Sequence, residues 1–158
     1  MKLARKTLKS AAVLLVSAVI GMSPTAPAIA APADVNVDNS GLAILGYDPV
    51  AYFEMNEPAK GKPEHTASHK GAVYRFVSDR HRQLFVANPV KYVPAYGGWC
   101  SFGMRYGQTS RIDPLSWDIV DGKLYLTLNL GTRTVWQQGK TENITIADRL
   151  WEKIYVKD

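Results

Sequence analysis

The 158-residue chain has one cysteine, Cys100, so it cannot close a disulfide within itself. It has no Walker loop, no G-x-G-x-x-G fingerprint and no H-E-x-x-H helix, which removes the usual sequence signatures of nucleotide binding and zinc hydrolysis. The N-terminal apolar run at Ala11–Met22 covers about 12 residues, whereas a membrane-spanning helix needs about 20. Concentrated positive charge is missing too. Lys60 with Lys62 and Arg80 with Arg82 are short, separated clusters, which give no electrostatic footprint for nucleic acid.

What the N-terminus does have is a basic segment, MKLARKTLKS, then the apolar run, then a small-residue tail, SPTAPAIAAPA. This tripartite order is that of a Sec-type secretory signal, so residues 1–30 are expected to be removed, with a second cleavage position after Ala33. The mature protein is expected in the periplasm or secreted, with no stable membrane anchor once the signal is gone. Removing Lys2, Arg5, Lys6 and Lys9 takes four of 19 basic residues and leaves 15 against 14 acidic ones, so most of the formal +5 belongs to the signal.

Residues 31–40 read as a flexible leader and 41–158 as one compact domain. Without disulfides, stability has to come from packing, for which four Trp, eight Tyr and four Phe supply large apolar surfaces. The run HTASHKGAVYRFV predicts two strands meeting at Lys70-Gly71, with Tyr74 and Phe76 on one face. Ser78 is placed to cap a helix through Ala87. WDIVDGKLYLTLN predicts a hairpin around Asp121-Gly122, with Leu124, Leu126 and Leu128 sharing a face. The glycines of YGGWCSFGMRYG predict a shaped loop. Thr145 and Asp148 form a potential capping box before a helix whose apolar face is Ala147, Leu150, Trp151 and Ile154. No internal repeat is visible. The expected fold class is α+β, with helices closing over a small, mainly antiparallel sheet.

The candidate chemistry centres on sulfur and imidazole. Cys100 could pack in the core, hold a soft metal as thiolate, or act as a nucleophile, and Met104 could add a thioether. His65 and His69 share a face and could form half of a metal site, while His81 in the first turn of its helix could serve as ligand or proton carrier. No nucleophile, base and orienting acid stand at suitable spacing, so hydrolase activity is not expected, and no cofactor is declared apart from a soft metal such as Cu(I).

GYDPVAYF, then GAVYRFVSDRHRQLFVANPVKYVPAYGGWCSFGM, then DPLSWDIVDGKLYLTLN resembles the exported, single-domain branch of the YHS-domain proteins over roughly Gly46–Asn129. The resemblance implies a compact sheet-and-helix domain. Metal-associated relatives carry a cysteine cage in DPVCGM and FCSxxC. Here those cysteine positions hold Ala51, Val77 and His81, so the cage is absent. The expectation is a noncatalytic periplasmic binding module for a small ligand, a metal ion or an envelope protein. The alternatives are soft-metal handling through Cys100 with His81 or Met104, and a cysteine-dependent redox or covalent enzyme.

Overall fold

The computed structural model describes residues 34–155, so the expected signal segment and both cleavage positions lie outside the described residues. Strand β1 (Lys62–His69) pairs antiparallel with β2 (Ala72–Phe76), and the two-residue turn between them puts Lys70 and Gly71 at φ 47° and 77°. Strand β3 (Asp113–Val120) pairs in the same way with β4 (Lys123–Thr127), with Asp121 and Gly122 at φ 50° and 74°. Positive φ at both central positions matches the right-handed twist of hairpin strands, which explains the Lys-Gly and Asp-Gly pairs. The fold is thus α+β, but the expected single sheet is two separate two-stranded sheets.

Helices carry the rest. Short α1 (Ala51–Glu54) precedes the first hairpin, and α2 (Asp79–Ala87) follows it. Ser78 caps α2 as expected, its hydroxyl accepting the His81 backbone N–H. Short α3 (Pro89–Tyr92) leads to the glycine loop, which contains a helical turn, α4 (Ser101–Met104), rather than loop alone. Helix α5 (Leu130–Gln138) was not anticipated; Asn129 caps it by accepting the Thr132 N–H at 2.8 Å. Helix α6 spans Lys140–Tyr155. Thr145 is therefore inside a helix, donating to the Thr141 carbonyl, and Asp148 accepts the Tyr96 hydroxyl at 2.8 Å instead of closing a capping box. The packing face of α6 runs through Asn143, Ala147 and Trp151, while Ile154 is exposed. Leu128 also departs from expectation. Strand β4 ends at Thr127, and Leu128 is 44% exposed while Leu124 and Leu126 are fully buried.

The order of elements contains an internal repeat that the sequence does not announce. Lys62 corresponds to Asp113 and His69 to Val120, a spacing of 51 residues (113 less 62). The same spacing relates β2 to β4, α2 to α5, the turn Lys70-Gly71 to Asp121-Gly122, and the caps Ser78 to Asn129. Strand register repeats as well: Thr66 opposite Arg75 becomes Trp117 opposite Leu126, and each hairpin has its irregularity at the same place. Inside each copy a buried tyrosine of the second strand lies tilted on the aromatic anchor of the helix: Tyr74 on Phe85 at 4.8 Å and 37°, Tyr125 on Trp136 at 5.4 Å and 36°. Each copy begins with a left-handed turn, Ile44-Leu45-Gly46 and Tyr96-Gly97-Gly98, all six residues at positive φ.

These turns are where residues 34–37, expected to be part of a flexible leader, are held. Val35 is buried in the core, and the Asn36 N–H donates to the Gly97 carbonyl while its amide donates to that of Gly98, both at 2.9 Å. A Cβ on Gly97 would lie 1.7 Å from the Asp34 carbonyl oxygen, so only glycine allows this contact. Core clusters join the copies: Val50, Phe76 and Phe85 of the first pack with Cys100, Ile112, Leu124 and Leu126 of the second. Among the described residues no helix is long and apolar enough to cross a membrane.

Candidate functional site

The candidate residues disperse. His65 and His69 do share one face of β1, with Ala67 between them, but four residues of strand separate their backbones by about 13 Å. One metal bond of about 2 Å from each ring cannot span that gap. His69 leans edge-on against Phe85 at 6.1 Å, and His65 sits near Asp79 at the start of α2. Cys100 is 2% exposed and packs in the larger core cluster, whereas Met104 is fully buried in the other cluster, beside Tyr96, Tyr125 and Trp136. Among the described residues no three His, Cys, Asp or Glu side chains gather as a metal site.

His81 instead meets Asp48, a residue that reads in the sequence as half of an Asp-Pro turn. Its Nδ1 lies 2.7 Å from Asp48 Oδ2, with the carboxylate fully buried and the imidazole 9% exposed. Asp48 also accepts the Val50 N–H at 2.8 Å and the Val77 N–H at 2.9 Å. One carboxylate thus ties the start of α1, the exit of the first hairpin and the first turn of α2 together. Nδ1 thus donates to the carboxylate, and Nε2 has no hydrogen-bond partner among the described residues.

The repeat explains why Cys100 has no such partner. The Asp48 N–H donates to the Ala59 carbonyl at 2.9 Å, and the Cys100 N–H to that of Ser110 at 3.1 Å. Ala59 and Ser110 are equivalent by the 51-residue spacing while Asp48 and Cys100 stand 52 apart (100 less 48), so it is the matching backbone hydrogen bond, with one residue fewer in the second copy, that puts Cys100 where Asp48 stands in the first. The counterpart of His81 is Thr132, whose hydroxyl is spent on its own cap, donating to Asn129 Oδ1 at 3.1 Å. A polar pair in one copy is a thiol among hydrocarbon in the other.

Open space lies elsewhere, between the hairpin tips and α6. A cavity of about 170 Å³ is bordered by Asp34, His69, Lys70, Tyr74, Tyr96 and Trp151. A second, of about 200 Å³, is bordered by Tyr96, Lys123, Asp148, Trp151 and Glu152. Both adjoin Tyr96 and Trp151, whose ring centroids are 6.0 Å apart, and we treat the two as lobes of one groove with these rings as an aromatic divide. Lys70, in the first hairpin turn, borders one lobe, and Lys123, the first residue of β4, borders the other. Burial and the Lys70 ammonium hold the His69 imidazole below its ordinary pKa, keeping it neutral in the first lobe. Burial and the Asp148 carboxylate push the Tyr96 phenol up, so it remains a hydrogen-bond donor.

The His69 shift has a measurable consequence. His69 Nε2 is buried with no hydrogen-bond partner, so protonation would place charge on an uncompensated ring. As pH falls below the ordinary value of 6.5, the unfolded chain takes up this proton before the folded one does. His69 therefore contributes stability that is present above about pH 6.5 and is lost as pH falls through the depressed folded pKa. Urea unfolding at about pH 7 and about pH 5 should show a larger acid loss in wild type than in His69→Gln. Equal slopes would remove His69 from the acid response.

No protein-family model matches the chain, and no curated protein or solved structure matches it either. The groove and the Asp48–His81 pair therefore carry the functional reading by their own chemistry.

Proposed function

We propose that this chain is an exported, noncatalytic binding module of the YHS-like type, which takes a small molecule in the two-lobed groove. The observation that carries this reading is the aromatic divide of Tyr96 and Trp151, set between two lysines that have no carboxylate partner among the described residues. Small-molecule sites combine apolar and aromatic lining with a few polar groups that fix orientation. Export in the Sec pathway, supported by the tripartite N-terminus, would place the groove in the periplasm or outside the cell.

The test is a screen of amino acids, sugars and nucleobases against the mature protein, read by NMR at the Trp151 indole and repeated with Trp151→Ala. At least one class should shift that resonance, with affinity falling about tenfold or more when the aromatic surface is removed. Failure of every class to perturb Trp151 would defeat the groove as a binding site.

A soft-metal reading has one feature in its favour, since a carboxylate that orients an imidazole through Nδ1 is how metal-ligating histidines are commonly held. It needs Cys100 to join His81 or Met104, whereas Cys100 and Met104 pack in different core clusters and the His81 Nδ1 is taken by Asp48. Anaerobic Cu(I) titration by native mass spectrometry would establish it only if one ion is retained by wild type and lost in both His81→Ala and Cys100→Ser.

A further inference from the structure

The groove is selective in its charges as well as in its rings. In the first lobe Lys70 and Asp34 both face the cavity, yet neither has a salt-bridge partner among the described residues. In the second lobe the same is true of Lys123 and Glu152, while Asp148 is engaged by the Tyr96 hydroxyl. Each lobe therefore offers one ammonium and one carboxylate that have not satisfied each other. A purely anionic ligand would meet the acids, and a purely cationic one the lysines. A neutral sugar would leave both unused, although it could stack on Trp151. Around the first lobe Tyr74, Val93 and Pro94 add apolar surface next to Trp151, and His69 is held neutral, so this wall suits an uncharged apolar group while Asp34 and Lys70 supply opposite charges on the polar remainder of the lining. Each lobe is smaller than the roughly 300–1,000 Å³ of drug-sized sites, which limits a single lobe to a metabolite-sized fragment.

Building on the groove as a binding site, we propose that its ligand is a small zwitterion with an apolar side chain, namely an apolar α-amino acid or a dipeptide made of such residues. The carboxylate lies at Lys70, the apolar side chain lies against Trp151 and Tyr96, and the ammonium lies at Asp34 for an amino acid or reaches Glu152 for a dipeptide spanning both lobes. Lys70 sits in the hairpin turn at positive φ, so its backbone is held at the rim of the first lobe. Recognition of both charges also gives selectivity, because an analogue lacking one leaves its partner in the groove without its counter-charge.

Calorimetry on the full mature protein with L-phenylalanine, phenylalanylphenylalanine, N-acetyl-L-phenylalanine amide and N-acetylglucosamine tests this. The variants are Lys70→Asn, Glu152→Gln and Trp151→Ala. Asparagine tolerates positive φ, so Lys70→Asn removes the ammonium while keeping the turn, and circular dichroism confirms the fold of each variant. L-phenylalanine should bind, with affinity reduced about tenfold by Lys70→Asn and by blocking both its charges, because hydrogen bonds to charged groups are among the stronger ones. Glu152→Gln, which removes the carboxylate assigned to the dipeptide's ammonium, should weaken the dipeptide more than the amino acid. Binding of N-acetylglucosamine, or of the blocked amide, in place of the free amino acid would overturn the zwitterion and leave the binding module standing, provided Trp151→Ala abolishes it. Amino-acid binding that is indifferent to Lys70→Asn would overturn the assigned orientation. No heat from either phenylalanine ligand would overturn the proposal, and the independent screen at Trp151 then decides whether the groove binds anything.

Discussion

Asp48→Ala is expected to cost about 3 kcal/mol or more, because each buried donor left without its acceptor costs about 1–3 kcal/mol and several lose theirs at once. The carboxylate is fully buried, and its loss would leave the Val50 N–H, the Val77 N–H and His81 Nδ1–H without an acceptor. These donors lie on three elements, so the penalty is distributed over the junction of α1, the first hairpin and α2. Asn at this position keeps the shape but turns one acceptor oxygen into a donor facing other donors, so it should also destabilise. Urea denaturation of Asp48→Ala, His81→Ala and the double variant gives the coupling between the two, which should be about 1 kcal/mol or more for groups in direct contact. A loss below about 1 kcal/mol in Asp48→Ala would show that water reaches these donors and that the pair is not a structural tie.

The role of Asp48 could not be read from its local sequence. Asp-Pro is a good turn signal, and the residue does sit at a chain reversal, but its partner His81 is 33 positions away. Turn dipeptides and strand alternation, by contrast, are local properties. Lys70-Gly71 and Asp121-Gly122 therefore marked both hairpins, and Ser78 marked the start of α2. Helix α5 was missed because its interior carries β-branched Thr132, Thr134 and Val135 and only one large buried anchor, Trp136. Such residues lower helix propensity, and the Asn129 cap together with tertiary packing overrides it.

The candidate site was legible in the same partial way. Cys100, His81 and Met104 drew attention because their atoms bind metals, yet chemistry at the level of residue type says nothing about convergence, and the two sulfur side chains belong to different core clusters. His69 was the candidate that reached open space. The groove itself joins two hairpin tips to a helix near the C-terminus, so no contiguous motif records it. The repeat is hidden for a related reason. Between residues 62–87 and 113–138 the identical pairs are Pro63 with Pro114, Gly71 with Gly122, Tyr74 with Tyr125 and Arg82 with Arg133. What is kept is turn chemistry, a cap and an aromatic pair, while the remaining positions diverged with their different surroundings.

Phe85→Ala and Trp136→Ala should be about equally damaging, each costing about 3–5 kcal/mol. They are equivalent anchors of the two copies, 1% and 0% exposed, and each supports the buried tyrosine of its own hairpin. Although the copies repeat in sequence order, the larger core cluster is shared between them, and Leu124 and Leu126 tie it to Tyr125, which packs on Trp136. Phe85 belongs to a cluster that includes Leu124 and Leu126 of the second hairpin, and Met104 and Tyr96 complete the cluster around Trp136. Truncating either anchor should therefore lower the stability of the whole molecule, with one cooperative transition and the same midpoint whether it is followed by far-ultraviolet dichroism or by aromatic signals. Native-state hydrogen exchange gives the sharper reading: amides of β2 and of β4 should lose protection together in both variants. Loss confined to β2 in Phe85→Ala and to β4 in Trp136→Ala would mean that the two copies fold as separate units, and the shared core would then contribute far less than its burial implies.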